Sequence, residues 1–70
     1  MESVEEIQFK TKLAKFSIWI EEDGNILESH CGYSIGCFYT KPECIGFVED
    51  SPSLEEIKNQ YIDFYGRYTD

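Results

Sequence analysis

Phe16, Ile18 and Ile20 alternate with Ser17, Trp19 and Glu21 in the run up to Asp23-Gly24, and this combination constrains the chain more than any other feature. Period-two alternation is the pattern of a half-buried strand, and Asp-Gly is a favoured dipeptide for turning one strand back along itself. An antiparallel hairpin is therefore expected near the middle of the chain. With Asp23 and Gly24 as a two-residue loop, Ile20 should face Leu27, Ile18 should face Ser29 and Phe16 should face Cys31. Trp19 would then pair with Glu28 on the other face. Two further strands are expected at Tyr33–Tyr39 and Glu43–Val48, joined by Thr40-Lys41-Pro42, with Gly36 and Gly46 marking a bulge or a close backbone approach. Only Gly32 separates the second strand from the third, which also allows one long strand bent at a bulge.

At the other end of the chain, Ser53-Leu54-Glu55-Glu56 is a capping box, in which the Ser53 hydroxyl and the Glu56 carboxylate satisfy helix-end donors reciprocally. At 100° per residue Leu54, Ile57, Tyr61, Phe64, Tyr65 and Tyr68 share one arc, with Ile62 on its flank. Glu55, Glu56, Asn59, Asp63 and Arg67 lie opposite. The spacing predicts a helix over 53–67 whose aromatic stripe, Phe64 included, lies on a core.

Two periods compete in the first fifteen residues. Ser3-Val4-Glu5-Glu6-Ile7 repeats the capping pattern, whereas Ile7, Phe9, Thr11 and Leu13 alternate. A helix there would have a thin apolar arc of Val4, Ile7 and Ala14, so a strand preceded by a short turn is the better reading. The sum is an α+β fold in a single domain, 1–70: a small antiparallel β-sheet of three to five strands with one C-terminal amphipathic helix packed on one face.

Composition bounds what such a domain does. A chain of 70 residues removes only about 60% of its unfolded surface from water, which leaves one core and no deep enzyme-sized cleft. A non-enzymatic role follows as the expectation, with no cofactor. The hydrophobic content of 41% is too high for a disordered chain, in spite of a net charge of −8. That charge argues against direct binding to nucleic acid or to an anionic membrane, both of which are driven by Lys and Arg. No apolar run approaches the roughly 20 residues that span a bilayer, and the amino terminus is acidic rather than a basic, apolar leader. Three cysteines, an odd number, fit reduced thiols in a cytoplasmic protein.

His30, Cys31, Cys37 and Cys44 are four soft-metal donors, and they define an alternative reading as a small zinc- or thiol-dependent protein. The spacing lacks the close cysteine pair of a zinc knuckle, and neighbours on a strand point to opposite faces, so small hydrophobes packed in or beside the sheet describe the cysteines better. His30 is the one imidazole available to activate a thiol, and nothing locates an oxyanion hole beside it.

Charge geography is more informative. Residues 1–15 balance three glutamates with Lys10, Lys12 and Lys15, which leaves the whole of the −8 on residues 16–70. Glu21, Glu22 and Asp23 cluster at the expected hairpin tip, and Glu49, Asp50, Glu55 and Glu56 cluster where the last strand enters the helix. Acids at a helix amino terminus favour the helix dipole, and solvated turns are commonly acidic. A concentration of both clusters on so small a body also steers it towards basic surfaces. These seven residues, with Trp19 as apolar anchor, are the expected partner-binding set. The expected partner is a larger basic protein that itself holds nucleic acid. The protein would then be an inhibitor, antitoxin or immunity-like regulator, or a phage-encoded anti-defence protein, working as a nucleic-acid mimic. A homodimer through an edge strand or the Trp19 face is a further expectation.

Cys44-Ile45-Gly46-Phe47 leading into Ser53-Leu54-Glu55-Glu56-Ile57 resembles the antitoxin domains of the HicB type. The Pro-Asp-Leu-Pro-Gly segment usual in those domains has no counterpart here, and no site residue is carried over. The resemblance implies that a small acidic sheet-plus-helix protein acts by occupying a basic partner.

Overall fold

The computed structural model describes residues 3–69. Four strands, β1 (Ser3–Lys10), β2 (Ala14–Glu21), β3 (Asn25–Gly32) and β4 (Glu43–Phe47), form one antiparallel sheet in the order β1-β2-β3-β4. A 3₁₀ turn at Val48–Asp50 leads into helix α1 (Leu54–Tyr65), which packs on one face of the sheet. The expected α+β fold is the observed one, and the alternating reading of the amino-terminal segment holds through Ile7, Phe9 and Thr11; Leu13, expected to continue it, is exposed in the turn before β2. The strand begins at Ser3 itself, so a short turn before it would fall outside the described residues.

The central hairpin forms, but its register is one residue away from the two-residue-loop expectation. Ile20 pairs with Ile26, Trp19 with Leu27, Ile18 with Glu28, Ser17 with Ser29 and Phe16 with His30. The loop holds three residues, Glu22, Asp23 and Gly24, and is closed by the Gly24 N–H donating to the Glu21 carbonyl at 2.8 Å. A two-residue loop of the favoured type needs positive φ at both loop residues, which costs a non-glycine residue about 1–2 kcal/mol. Among the described residues only Gly24, Gly36 and Gly66 have positive φ. Gly24 takes the single left-handed position, at φ 92°, and Asp23 is spared it.

A one-residue slip exchanges the faces of β3. Ile26 now joins Ile18, Leu54 and Ile57 in the buried cluster, with Ile7, Phe9, Ile20 and Tyr61 packed around it. Leu27, Ser29 and Cys31 turn to the opposite face with Trp19 and Ser17.

Helix α1 starts where expected, with the Ser53 hydroxyl accepting from the Glu56 N–H at 3.3 Å, but the reciprocal bond expected to the Glu56 carboxylate is not formed. It ends earlier than expected. Gly66, at φ 99°, follows Tyr65 and donates its N–H to the Ile62 carbonyl, a glycine stop of the kind that ends many helices. Arg67 then leaves the helix to bridge Thr11, and the Lys12 N–H donates to the Gly66 carbonyl. Tyr68 therefore stacks on Tyr33 rather than on the core, and Phe64 is 80% exposed. Tyr61 and Tyr65 supply the aromatic contacts instead, both against Phe16. Both expected core assignments, Phe64 and Tyr68, are thus corrected: Tyr68 lies beyond the glycine stop, and Phe64, in the last turn of α1, has only the neighbouring Tyr65 ring against it among the aromatic contacts.

The segment Tyr33–Tyr39 is not a strand. It turns through Gly36, at φ 81°, with the Cys37 N–H donating to the Ser34 carbonyl. The edge of β3 is taken by β4 and, beyond it, by Thr40, whose N–H donates to the His30 carbonyl. With the β3 edge occupied, the β-prone Ile35 and Phe38 of this segment stand in solvent. Gly46 behaves as expected: the register shifts between Ile26 and Leu27 as they pair with Gly46 and Cys44, and a Cβ on Gly46 would lie 2.7 Å from Ser51 Oγ.

Ile18→Ala should therefore lower unfolding free energy by about 2–5 kcal/mol, whereas Phe64→Ala should stay within about 0.5 kcal/mol of the parent in urea titrations. Gly24→Ala meets both the left-handed backbone and the Phe47 ring, 2.8 Å from the new Cβ. It should cost more than about 1 kcal/mol in the same assay.

Candidate binding surface

The two acidic clusters, separated in sequence, meet at one end of the sheet. Asn25 pairs with Phe47, the Val48 N–H donates to the Gly24 carbonyl at 2.8 Å, and the Phe47 ring lies against Gly24. These contacts set Glu49 and Asp50 beside the loop that carries Glu22 and Asp23, and all four are exposed. Asp23 is oriented by Asn25, whose backbone N–H and side-chain amide donate to its two carboxylate oxygens at 3.2 and 3.0 Å. Glu21 is half-buried at the end of β2 and accepts from the Trp19 ring N–H at 3.4 Å.

Glu55 and Glu56 follow on the exposed side of the first turn of α1, beyond Ser51-Pro52-Ser53. Glu55 is already engaged with Lys58 Nζ at 3.0 Å, an exposed pair of small energetic weight. Trp19 is half-buried on the sheet face away from α1, beside Leu27 and next to the acidic end. It presents part of its ring rather than the full projecting anchor that the sequence suggested.

Basic charge gathers at the other end of the sheet. Lys10 pairs with Lys15 across β1 and β2, Lys12 lies in the intervening turn, and Arg67 bridges Thr11 in that turn. Four of the six basic residues thus sit about 25 Å from the acidic loop, at ~3.3 Å per residue of strand. Lys10 Nζ stands 5.0 Å from the centre of the Tyr68 ring, in cation–π geometry. The turn is held by buried Thr11, whose Oγ1 accepts from the Leu13 and Ala14 N–H groups, and by the Tyr33 hydroxyl donating to the Thr11 carbonyl. Sequence reading found the three lysines but missed Arg67, because it continued the helix past Gly66.

The soft-metal donors are dispersed. His30 faces α1, Cys31 faces away from it, Cys44 is exposed on β4 and Cys37 is exposed in the turn after β3. Among the described residues no group of three or more His, Cys, Asp and Glu side chains is placed to hold a metal ion. Of the three cysteines only Cys31 packs as a small hydrophobe.

His30 instead serves Glu28, a buried carboxylate on the helix-facing side of β3, through a 2.7 Å contact between Nδ1 and Oε2. The Phe16 ring lies 5.3 Å from the imidazole. A buried carboxylate is costly unless it is paired, which explains why His30 remains beside it. No sequence signal marked this pair, because the expected register put both residues on the outer face.

Comparison of the chain with protein-family models, curated proteins and solved structures finds no match. The resemblance to HicB-type antitoxin domains therefore rests on the two segments that suggested it. No described helix is long and apolar enough to cross a membrane.

Two tyrosines report on the packing. Burial raises the Tyr61 phenol above its ordinary value, and the charges of Glu28, Tyr65 and Glu43 push the same way. Partial burial also raises Tyr33, with Tyr68 adding to the rise. A raised phenol binds its proton more tightly in the folded state than in the unfolded chain. The associated stability is complete below the unfolded value of about 10 and is lost as pH climbs through the folded values. Absorbance titration of tyrosinate should show Tyr33 and Tyr61 ionising after an unfolded reference, with urea midpoints falling above about pH 10. Tyr33→Phe and Tyr61→Phe should each remove part of that alkaline loss.

Proposed function

We propose that this protein is a non-catalytic binding module whose acidic end covers a basic, nucleic-acid-binding surface of a larger protein. The observation that carries this reading is the Val48-to-Gly24 hydrogen bond, which joins the Glu21–Asp23 and Glu49–Asp50 clusters into one surface. Exposed carboxylates on a loop and a 3₁₀ turn stand in for the phosphates such a surface normally holds. Collection of four basic residues at the far end supports an oriented approach: the molecule is a charge dipole, and a basic partner draws its acidic end forward. Inhibitor, antitoxin, immunity and anti-defence proteins all work through this kind of occupancy, and a cytoplasmic setting fits such a partner.

Glu22, Asp23, Glu49 and Asp50 make the principal contacts, Glu21, Glu55 and Glu56 extend the field, and the exposed edge of Trp19 packs against the stem of a partner Arg or Lys. Affinity purification from the native source, followed by titration of the recovered partner, tests the proposal. The partner should be basic, and nucleic acid should compete for it. Binding should weaken steeply with salt, because exposed charges are screened within about 8–10 Å at physiological ionic strength. Changing Glu22, Asp23, Glu49 and Asp50 together to Lys should reduce affinity at least about 100-fold, as expected when close charge pairs turn repulsive, and leave the fold intact by circular dichroism. A partner that is neither basic nor nucleic-acid-binding, or an affinity indifferent to salt, would overturn the reading.

A further inference from the structure

Cys31 and Cys37 meet where the chain leaves β3, away from the acidic end. The buried Cys31 Sγ lies 3.2 Å from the Cys37 carbonyl and 3.3 Å from the Gly32 carbonyl, and the Cys37 Sγ lies 3.7 Å from the Phe38 carbonyl. Cys37 is exposed and sits over the Gly32 backbone, its Sγ 3.8 Å from where a Gly32 Cβ would be. The connection between them turns tightly through Gly36, with a single backbone bond from Cys37 to Ser34. Cys44 is apart from both: it pairs with Leu27, four residues along β3 from Cys31, or about 13 Å at the rise of a strand.

We infer that Cys31 and Cys37 form a dithiol redox site, an accessible thiol backed by a buried one, that a small disulfide such as oxidised glutathione converts to an intramolecular disulfide. The Cys37 thiolate attacks one sulfur of the small disulfide, whose S–S bond breaks and releases one glutathione thiolate. Cys31 then loses its proton and attacks Cys37 Sγ in the mixed disulfide, releasing the second glutathione. Two electrons and two protons pass from the protein to glutathione, leaving one new S–S bond. The order of attack follows from the site. Burial, and then the neighbouring Cys37 thiol, raise the Cys31 thiol above its ordinary value, so it stays protonated while exposed Cys37 reacts first.

The full chain is incubated in mixtures of oxidised and reduced glutathione, quenched in acid, alkylated and weighed. The expected product is lighter by about 2 Da, with one alkylated cysteine, Cys44, and a melting temperature several degrees higher. Cys44→Ser should give the same bond. Cys37→Ser, which alters an exposed side chain, should show no 2 Da loss and leave Cys31 unmodified while folded. Wild-type protein that stops at a mixed disulfide on Cys37, or that bonds Cys37 to Cys44, overturns the inference, as does glutathione capture by Cys31 in folded Cys37→Ser.

Discussion

The arrangement of this molecule depends on where the β2–β3 loop places its one left-handed residue. Gly24 accepts positive φ without a Cβ penalty, and putting it third in the loop lets Asp23 keep ordinary backbone angles. The choice moves the pairing by one residue, and a strand has only two faces. Ile26 enters the core in place of Leu27, and Glu28 and His30 come to lie on the side of α1. The same glycine offers its carbonyl to Val48 and its bare Cα to the Phe47 ring, so β4 is drawn up to the loop. One backbone conformation thus sets the register, the composition of the core and the joining of the acidic clusters.

Packing on the helix side accommodates what that register brings. Four small apolar contacts, Ile18, Ile26, Leu54 and Ile57, make the dry centre, and aromatic rings extend it towards the basic end. Phe16 is the common neighbour there, stacking on Phe9 and Tyr65 and meeting Tyr61 edge-on. Glu28 would be a liability in such a layer, and His30 compensates it with a short contact at the edge of the same aromatic group. The opposite face is more polar: buried Ser17 donates to Glu6, and buried Ser29 donates to the Thr40 carbonyl at 2.6 Å. These bonds satisfy hydroxyls that the sheet withdraws from water.

The separation of charge follows from the topology as well. In a meander, the turns between strands one and two and between strands two and three fall at opposite ends of strand two. Lysines flanking the first turn and acids filling the second are thereby parted by the length of β2, and the return of the chain after Gly66 adds Arg67 to the basic end. An acidic protein with a basic pole can approach a basic surface in a preferred orientation, which is the physical core of the proposed function.

Local patterns in the chain were enough to determine the elements that have short-range causes. The strand at 14–21 follows from its alternation, the start of α1 from Ser53 and Glu56, and the sheet-plus-helix class from their succession. The acidic clusters, too, were visible as residues. Their union was not, because it depends on a hydrogen bond between positions 24 and 48. Nor could local pattern decide whether Asp23-Gly24 closes a loop of two or three, since both loops are open to the dipeptide; the three-residue loop spares Asp23 a positive φ and brings Ile26 against Ile18 and Leu54. Helical periodicity carried Tyr68 into the expected core because it holds no information about Gly66, whose stop is stabilised by pairing with the turn at Lys12, and it carried Phe64 there because it cannot say where the surface beneath the helix ends. Tyr33–Tyr39 has the composition of a strand, but Glu43–Phe47 takes the β3 edge on which it would have folded back. Tertiary structure decided these points because each is a competition between distant segments for one register, one edge or one place in the core.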